Sequence, residues 1–261
     1  MKLSIITINK NNAVGLERTC QSVTWQTFED FEWIVIDGAS DDNSVDIIRK
    51  YAHKMAYWVS ESDTGVYNAM NKGINLAKGD YCLFLNSGDW LFSPYILKIV
   101  FTRIADIEAD IFYGDYLFPD FTIWKVPEKL TMDFFYTSGS ISHQNALIKR
   151  SLFFEHGFYD ENFATISDAI FFMKELWLYH SKFHFINTKI SINDNFVLSF
   201  VLHESSSQEE KHEMKKIMGD IEYNALVKRN AVKKRNIVKK IIKYLLPYGV
   251  VRIFQEYILN R

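Results

Sequence analysis

Only two cysteines, Cys20 and Cys82, occur in the 261 residues. Two cysteines in apolar surroundings make no disulfide framework, and both read as inert core thiols of a reducing compartment. No apolar run reaches the roughly 20 residues needed to span a bilayer. The stretch Met1-Lys2-Leu3-Ser4-Ile5-Ile6-Thr7 is too short for a signal-peptide core and reads as a strand. The expectation is a cytosolic chain, or one attached to a membrane from the cytosolic side. Neither charge sign dominates: 30 Lys and Arg stand against 32 Asp and Glu, net -2, which gives nucleic acid no basic footprint. Neither standard phosphate loop is present. Without G-x-G-x-x-G or G-x-x-x-x-G-K-S/T, and with only single glycines after the strands, dinucleotide dehydrogenases and P-loop ATPases are set aside. Internal repeats and low-complexity linkers are lacking too.

What is there is a chain that is 48% hydrophobic and 16% aromatic, enough for a sizeable core, with aromatics that suit a core or a surface meeting sugars or lipid. The run Tyr81 to Leu85 reads as a strand buried on both faces, the habit of parallel sheets covered by helices. It stops abruptly in Asn86-Ser87-Gly88-Asp89, and open α/β sheets place their ligand chemistry at such strand ends. Asp89 is then either an oxygen ligand for a hard divalent cation or a cap for a helix beginning near Ser93 and Pro94. Upstream, strands at Leu3–Ile8, Phe31–Asp37 and Ala56–Ser60 alternate with helices at Val14–Trp25, Ser44–Tyr51 and Val66–Ala77. This pattern predicts a parallel, doubly wound sheet with right-handed crossovers. Its polar clusters, Thr7/Asn9, Asp37-Gly38, Asp63-Thr64-Gly65 and Asp89, should gather along one edge. Downstream, extended segments are expected at Ile111–Asp115, Thr122–Lys125, Asn145–Ile148, Phe183–Ile186 and Ile190–Leu202. Helices are expected at Ser151–His156, from Ile166-Ser167-Asp168 to about His180, and from Gln208 after a loop His203–Ser207.

Three segments in this order resemble family 2 glycosyltransferases: Asp37-Gly38-Ala39-Ser40-Asp41-Asp42, then Ser60 to Gly73 with its Asp63-Thr64-Gly65-Val66-Tyr67-Asn68-Ala69-Met70-Asn71-Lys72-Gly73, then Phe84-Leu85-Asn86-Ser87-Gly88-Asp89. The nearest flavour is the bacterial O-antigen, colanic-acid and capsule group, and the likeness covers about residues 1 to 205. It implies a GT-A fold, a Rossmann-like, mostly parallel sheet flanked by helices. Residues 1–90 would be the nucleotide-binding half, 91–205 the acceptor-side half, and 206–261 a helical extension. By the same resemblance Thr7, Asn9, Asp37, Gly38, Asp63 and Ser87 would bind the nucleotide, with Lys72 near them or simply solvated. Asp89 would match the last aspartate of a D-x-D-like motif for Mn2+ or Mg2+, although Gly88 stands where many members carry another aspartate. Ser142-His143-Gln144-Asn145 resembles the family's S-H-Q segment, so that His143 meets the diphosphate or acceptor, or is a buried structural histidine. Phe158-Tyr159-Asp160-Glu161 with Ile166-Ser167-Asp168 resembles G-F-D-E followed by S-D, which makes Asp168 the catalytic base; read as residues alone, Ser167 or Asp168 is a helix cap. His203, with Ser205 and Ser207, resembles a late H-x-x-S-x-S loop whose histidine completes the metal shell or holds the diphosphate.

The implied function is an inverting, metal-dependent hexosyl- or N-acetylhexosaminyl-transferase. It would move a sugar from a nucleotide-sugar, a UDP-sugar first, to a polyprenyl-diphosphate-linked saccharide in surface-polysaccharide assembly. A binding protein of the same fold that has lost turnover is the alternative, hinted at by Gly88. A sugar nucleotidyltransferase would need a Gly-rich basic loop that Thr7 to Gly15 does not supply. The tail adds a partner. Lys228, Arg229, Lys233, Lys234, Arg235, Lys239, Lys240 and Lys243 crowd a segment whose Ile237, Val238, Ile241, Ile242, Leu245 and Leu246 recur at helical spacing. A basic helix with one apolar face reads as an element lying on an anionic membrane, here the inner face of a bacterial cytoplasmic membrane, or as a helix packed on the domain or on a second subunit.

Overall fold

The computed structural model describes the backbone of residues 1–194 and 203–245 and the side chains of 1–194 and 208–236. Strands β1 (Leu3–Asn9), β2 (Phe31–Asp37), β3 (Tyr57–Ser60) and β4 (Tyr81–Phe84) alternate with helices α1 (Ala13–Thr24), α2 (Ser44–Tyr51) and α3 (Val66–Leu76). They pair in the order β3-β2-β1-β4, every neighbour parallel. All seven residues of β1 are buried, which is why its sequence is apolar without alternation. The α1 stripe Leu16, Cys20 and Val23 packs with Leu3, Ile5 and Leu83 in one core cluster. Cys20 and Cys82 are free and buried, and burial pushes both thiols up to about 12, so neither is reactive near neutral pH.

Beyond β4 the sheet becomes mixed. β8 (Ala146–Lys149) runs antiparallel to β4, and β6 (Ile111–Leu117) antiparallel to β8. β9 (Phe183–Ile192) is parallel to β6, β5 (Trp90–Leu91) antiparallel to β9, and β7 (Ile123–Trp124) closes a hairpin on β6. The two extended segments expected from Phe183 onward are one strand with register shifts against β6, and residues 195–202 lie outside the described residues. Helix α4 (Ile96–Arg103) follows closely on Ser93 and Pro94, where one reading of Asp89 placed a helix, whereas α5 (Met132–Ser138) falls where the sequence pattern predicted no element. Both are about two turns long, too short for a period of 3.6 to declare itself. α6 (Ser151–His156) and α7 (Ser167–Trp177) stand close to where they were expected.

α8 (His203–Met218) and α9 (Asp220–Leu245) follow, parted by Gly219 at φ 80°. The segment from His203 to Ser207 is thus the start of α8 and not a loop. The chain divides into two compact units, Met1–Glu213 and a second beginning at Met214. Among the described residues no helix is long and apolar enough to cross a membrane.

Candidate active site

A cleft of about 580 Å³ opens at the carboxyl ends of β1 and β4. Asn9, Lys10 and Asn12 line it from the end of β1, Asp63, Thr64 and Gly65 from the turn before α3, and Asn86 and Ser87 from the turn after β4. The three segments meet because β1 sits between β2 and β4, where the winding of a parallel sheet reverses and leaves a crevice. Asn12 ties two of them together: its side chain caps α1 by accepting from the Gly15 N–H at 3.1 Å and donates to the Ser87 carbonyl at 2.9 Å.

The expected nucleotide residues divide into cleft wall and scaffold. Asn9, Asp63 and Ser87 line the cleft. Asp37 stands behind it, fully buried. Its carboxylate accepts from Asn9 Nδ2 at 2.7 Å, from the Ser40 hydroxyl at 2.6 Å and backbone N–H at 3.0 Å, and from the Ser60 hydroxyl at 2.6 Å. Burial pushes that carboxyl up, but the donors from Ser40, Ser60 and Asn9 outweigh it and hold it below the usual carboxylate range. Asp37 therefore orients Asn9, whose buried Oδ1 has no partner. Gly38 is glycine because of Asp63: a Cβ there would run into the Asp63 carboxylate. Lys72 is a brace. Its ammonium pairs with Glu61 at 2.7 Å and donates to the Ser62 carbonyl at 3.0 Å, fixing the approach to Asp63. Thr7 needs correction, because its side chain is 0% exposed and accepts the Trp33 indole N–H at 3.0 Å. It serves the core and does not line the cleft.

A chain of hydrogen bonds leads from the cleft to Asp168. Asn86 Nδ2 lies 3.3 Å from His143 Nε2, and His143 Nδ1 lies 2.7 Å from Asp168 Oδ2. With an amide N–H facing Nε2, Nδ1 is the nitrogen that donates to the carboxylate. The Tyr67 hydroxyl donates to Asp168 Oδ1 at 2.8 Å. The His143 and Asp168 side chains are only 13% and 14% exposed. Burial pushes the Asp168 carboxyl up, but the neighbouring His143 and the hydrogen bonds from His143 and Tyr67 more than offset this and hold it below the ordinary carboxylate range. Asp168 does not cap α7. The cap position is Ile166, with no side-chain bond.

Asp89 also departs from expectation. It is 0% exposed, with Oδ2 accepting from Gln144 Nε2 at 3.0 Å and Oδ1 from the Asp194 backbone N–H at 2.9 Å. Burial pushes it up to about 6. A carboxylate that is fully buried, with an N–H donor on each oxygen and no face open to the cleft, is not presented to a cation. Gly88, at φ 106°, offers no side chain, and the nearby Asp194 is paired with Arg18 at 2.9 Å. Among the described residues no group of three or more His, Cys, Asp or Glu side chains gathers to hold an ion. His203 begins α8, and its side chain lies outside the described residues. The residues that are described do not fit the expected Mn2+ or Mg2+ at Asp89. Nor does Asp89 cap α4, whose cap position is Tyr95.

Several residues quoted in the motifs acquire roles that spacing did not disclose. Besides Tyr67, Asn71 donates to the Tyr159 carbonyl and to Glu161, both at 2.9 Å, and Asn68 donates to Glu161 at 2.8 Å. The segment from Tyr67 to Asn71 thus staples α3 to the turn preceding α7. Gln144 and Asn145 knit the turn before β8 to Asp89 and to the end of β9. Only Asn71 carried a signal, as a polar residue among the buried Ala69, Met70 and Ile74 of α3.

The chain resembles known proteins in both sequence and fold. A PGL/p-HBAD biosynthesis glycosyltransferase of Mycobacterium bovis is 32% identical over 169 residues, covering 63% of this chain and 66% of that protein, slightly under two thirds of its length. An uncharacterized glycosyltransferase of Mycobacterium tuberculosis is 44% identical over 96 residues, 36% of this chain and 37% of its own. Among solved structures, S. aureus TarS 1-349 in complex with UDP superposes with a TM-score of 0.67 at 18% identity, over 87% of this chain and 68% of that one. The mannosyltransferase PcManGT of Pyrobaculum calidifontis, in complex with GDP-Man and Mn2+, gives 0.58 at 14% identity, over 88% and 79%. At such identities the structures establish the GT-A fold, as the resemblance implied. The sequence match is broader: over residues 4–235 the chain fits the model of glycosyl transferase family 2, and it belongs to that family.

Proposed function

We propose that the protein is an inverting glycosyltransferase that moves a sugar from a nucleotide-sugar to an acceptor hydroxyl, with Asp168 as the base. The observation that carries this is the hydrogen-bonded path from the cleft wall at Asn86 through His143 to Asp168. The nucleotide lies in the cleft among Asn9, Asp63 and Ser87, with Asp37, Gly38 and Lys72 behind them. The acceptor oxygen attacks the anomeric carbon, the bond from that carbon to the diphosphate oxygen breaks, and the hydroxyl proton passes to the Asp168 carboxylate. A single displacement inverts the anomeric centre and needs no covalent nucleophile. His143 sits between donor and base and steadies both. The site as described routes no step through a metal ion.

A UDP-sugar is the first choice of donor, because the TarS structures that share the fold include UDP and UDP-GlcNAc complexes. The acceptor we favour is a saccharide on a polyprenyl diphosphate, reached at the cytoplasmic membrane face. The composition of α9 supports this: Lys228, Arg229, Lys233, Lys234 and Arg235 fall within eight positions without an acidic residue, and each basic residue near an anionic leaflet adds about 1 kcal/mol. The rest of the proposed apolar face, from Ile237 onward, lies outside the described side chains. The buried Asp89 and the side-chain-free Gly88 favour a second reading, a nucleotide-sugar-binding protein without turnover. A screen of UDP-, GDP- and dTDP-sugars, reading released nucleoside diphosphate with and without an isolated lipid-linked acceptor, separates the two. Acceptor-dependent release from one donor is the expected result. Binding of a donor without release or transfer under any condition would leave the second reading.

A further inference from the structure

We infer that Tyr67 is a positioning residue for proton abstraction: its hydroxyl and the His143 imidazole clasp Asp168 from opposite sides and fix the carboxylate for the incoming hydroxyl. The inference rests on the reading of Asp168 as the proton acceptor. The clasp takes one site on each oxygen, at 2.8 Å from Tyr67 and 2.7 Å from His143. A carboxylate offers about four lone-pair sites, so the two clasping donors leave room for the substrate proton. Tyr67 is 3% exposed, with its ring 5.5 Å from that of Tyr159, and a phenol so enclosed turns its polar end to the carboxylate.

Four groups set the charge balance around Asp168. His143 comes from the turn before β8, and Tyr67 from α3. Tyr159 adds a second phenol, raised by its own burial and by the Asp168 charge. From α8, Glu210 is a like charge: burial and then Asp168 push it up to about 7. Against desolvation and a neighbouring carboxyl, the donors to Asp168 keep it ionised, and among the described residues Tyr67 and His143 are the side chains that supply them.

The position of Asp168 does not depend on Tyr67 alone. α3 is also stapled by Asn71 to the Tyr159 carbonyl and to Glu161, so Tyr67→Phe removes one hydrogen bond and leaves the packing in place. The expected result is that the acid limb of kcat/KM against pH moves up by about one pH unit, the size of one hydrogen bond to a charged group, together with a fall in the plateau above it. A ring-fluorinated tyrosine at the same position, a stronger donor of nearly the same shape, moves the limb down. The carboxyl carbon of Asp168, followed by NMR through the same titration, moves in step in both variants. A limb that stays in place in both, whatever the plateau does, overturns the inference and leaves the bond a structural one. Undiminished transfer by Asp168→Asn would instead remove the base reading itself, whatever Tyr67→Phe does.

Discussion

Asp168→Asn is expected to lower the rate of sugar transfer by about 10²–10⁴-fold, the usual contribution of a positioned base, while the nucleoside diphosphate binds as before. The asparagine has the shape of the aspartate, and its oxygen can still accept from Tyr67. Its NH2, however, now faces His143 Nδ1, so the imidazole must present a lone pair there and give up its present donor role. The Asn86 contact at Nε2 shifts with it. Stability changes with a definite sign. The Asp168 carboxyl is held below its ordinary value, so its contribution to folding is present above the unfolded value of 3.8 and disappears as pH falls through the lower, folded value. An amide at this position has no such component, and the variant loses a little stability near neutral pH and nothing at strongly acid pH. Initial rates of nucleoside diphosphate release with acceptor present, thermal unfolding across pH, and a calorimetric titration of the nucleotide check the three parts. A wild-type rate would take the base role from Asp168.

How far the sequence led is clearest from its two halves. β1, β2 and β4 were legible because each lies inside the sheet and is largely buried, and β3, at the exposed edge, because the strand–helix alternation leads into it. Past Asp89 several elements are short, β5 and β7 having two residues each, and Phe121 and Asn187 turn through positive φ. No periodicity survives in pieces of that length. The motifs placed the ligand edge well but did not distinguish wall from scaffold. Asp37, Asp63 and Asp89 look alike as aspartates at strand ends, yet only Asp63 lines the cleft. What separates them is long-range pairing: Gln144 and Asp194 reach Asp89 from 55 and 105 positions away. Tyr67 stood in a quoted motif without a role because Asp168 is 101 positions further on.

Asp89→Ala is expected to act on folding, and only through folding on transfer. The carboxylate joins three parts of the molecule: the turn after β4, Gln144 before β8, and Asp194 just after β9. The same turn is pinned to α1, where the Thr19 hydroxyl donates to the Asp89 carbonyl at 2.7 Å. Truncation leaves the buried Gln144 amide N–H and the part-buried Asp194 backbone N–H without an acceptor, at about 1–3 kcal/mol for the first and about 1–2 for the second, which water can reach, so a total of roughly 2–5 kcal/mol is anticipated. For a domain of this size that lowers Tm by roughly 5–15 °C. The pH dependence is opposite in sign to that of Asp168. Because burial raises Asp89 to about 6, its contribution to stability is fully present below the unfolded value of 3.8 and is lost as pH rises through about 6. In Asp89→Asn, which binds no proton, that decline between pH 3.8 and about 6 is absent from the unfolding curve. Added Mn2+ restores neither Tm nor rate in Asp89→Ala, since the lost partners are N–H groups and not an ion. The opposite pattern, a variant that melts like wild type but binds Mn2+ more weakly, would make Asp89 a metal ligand after all.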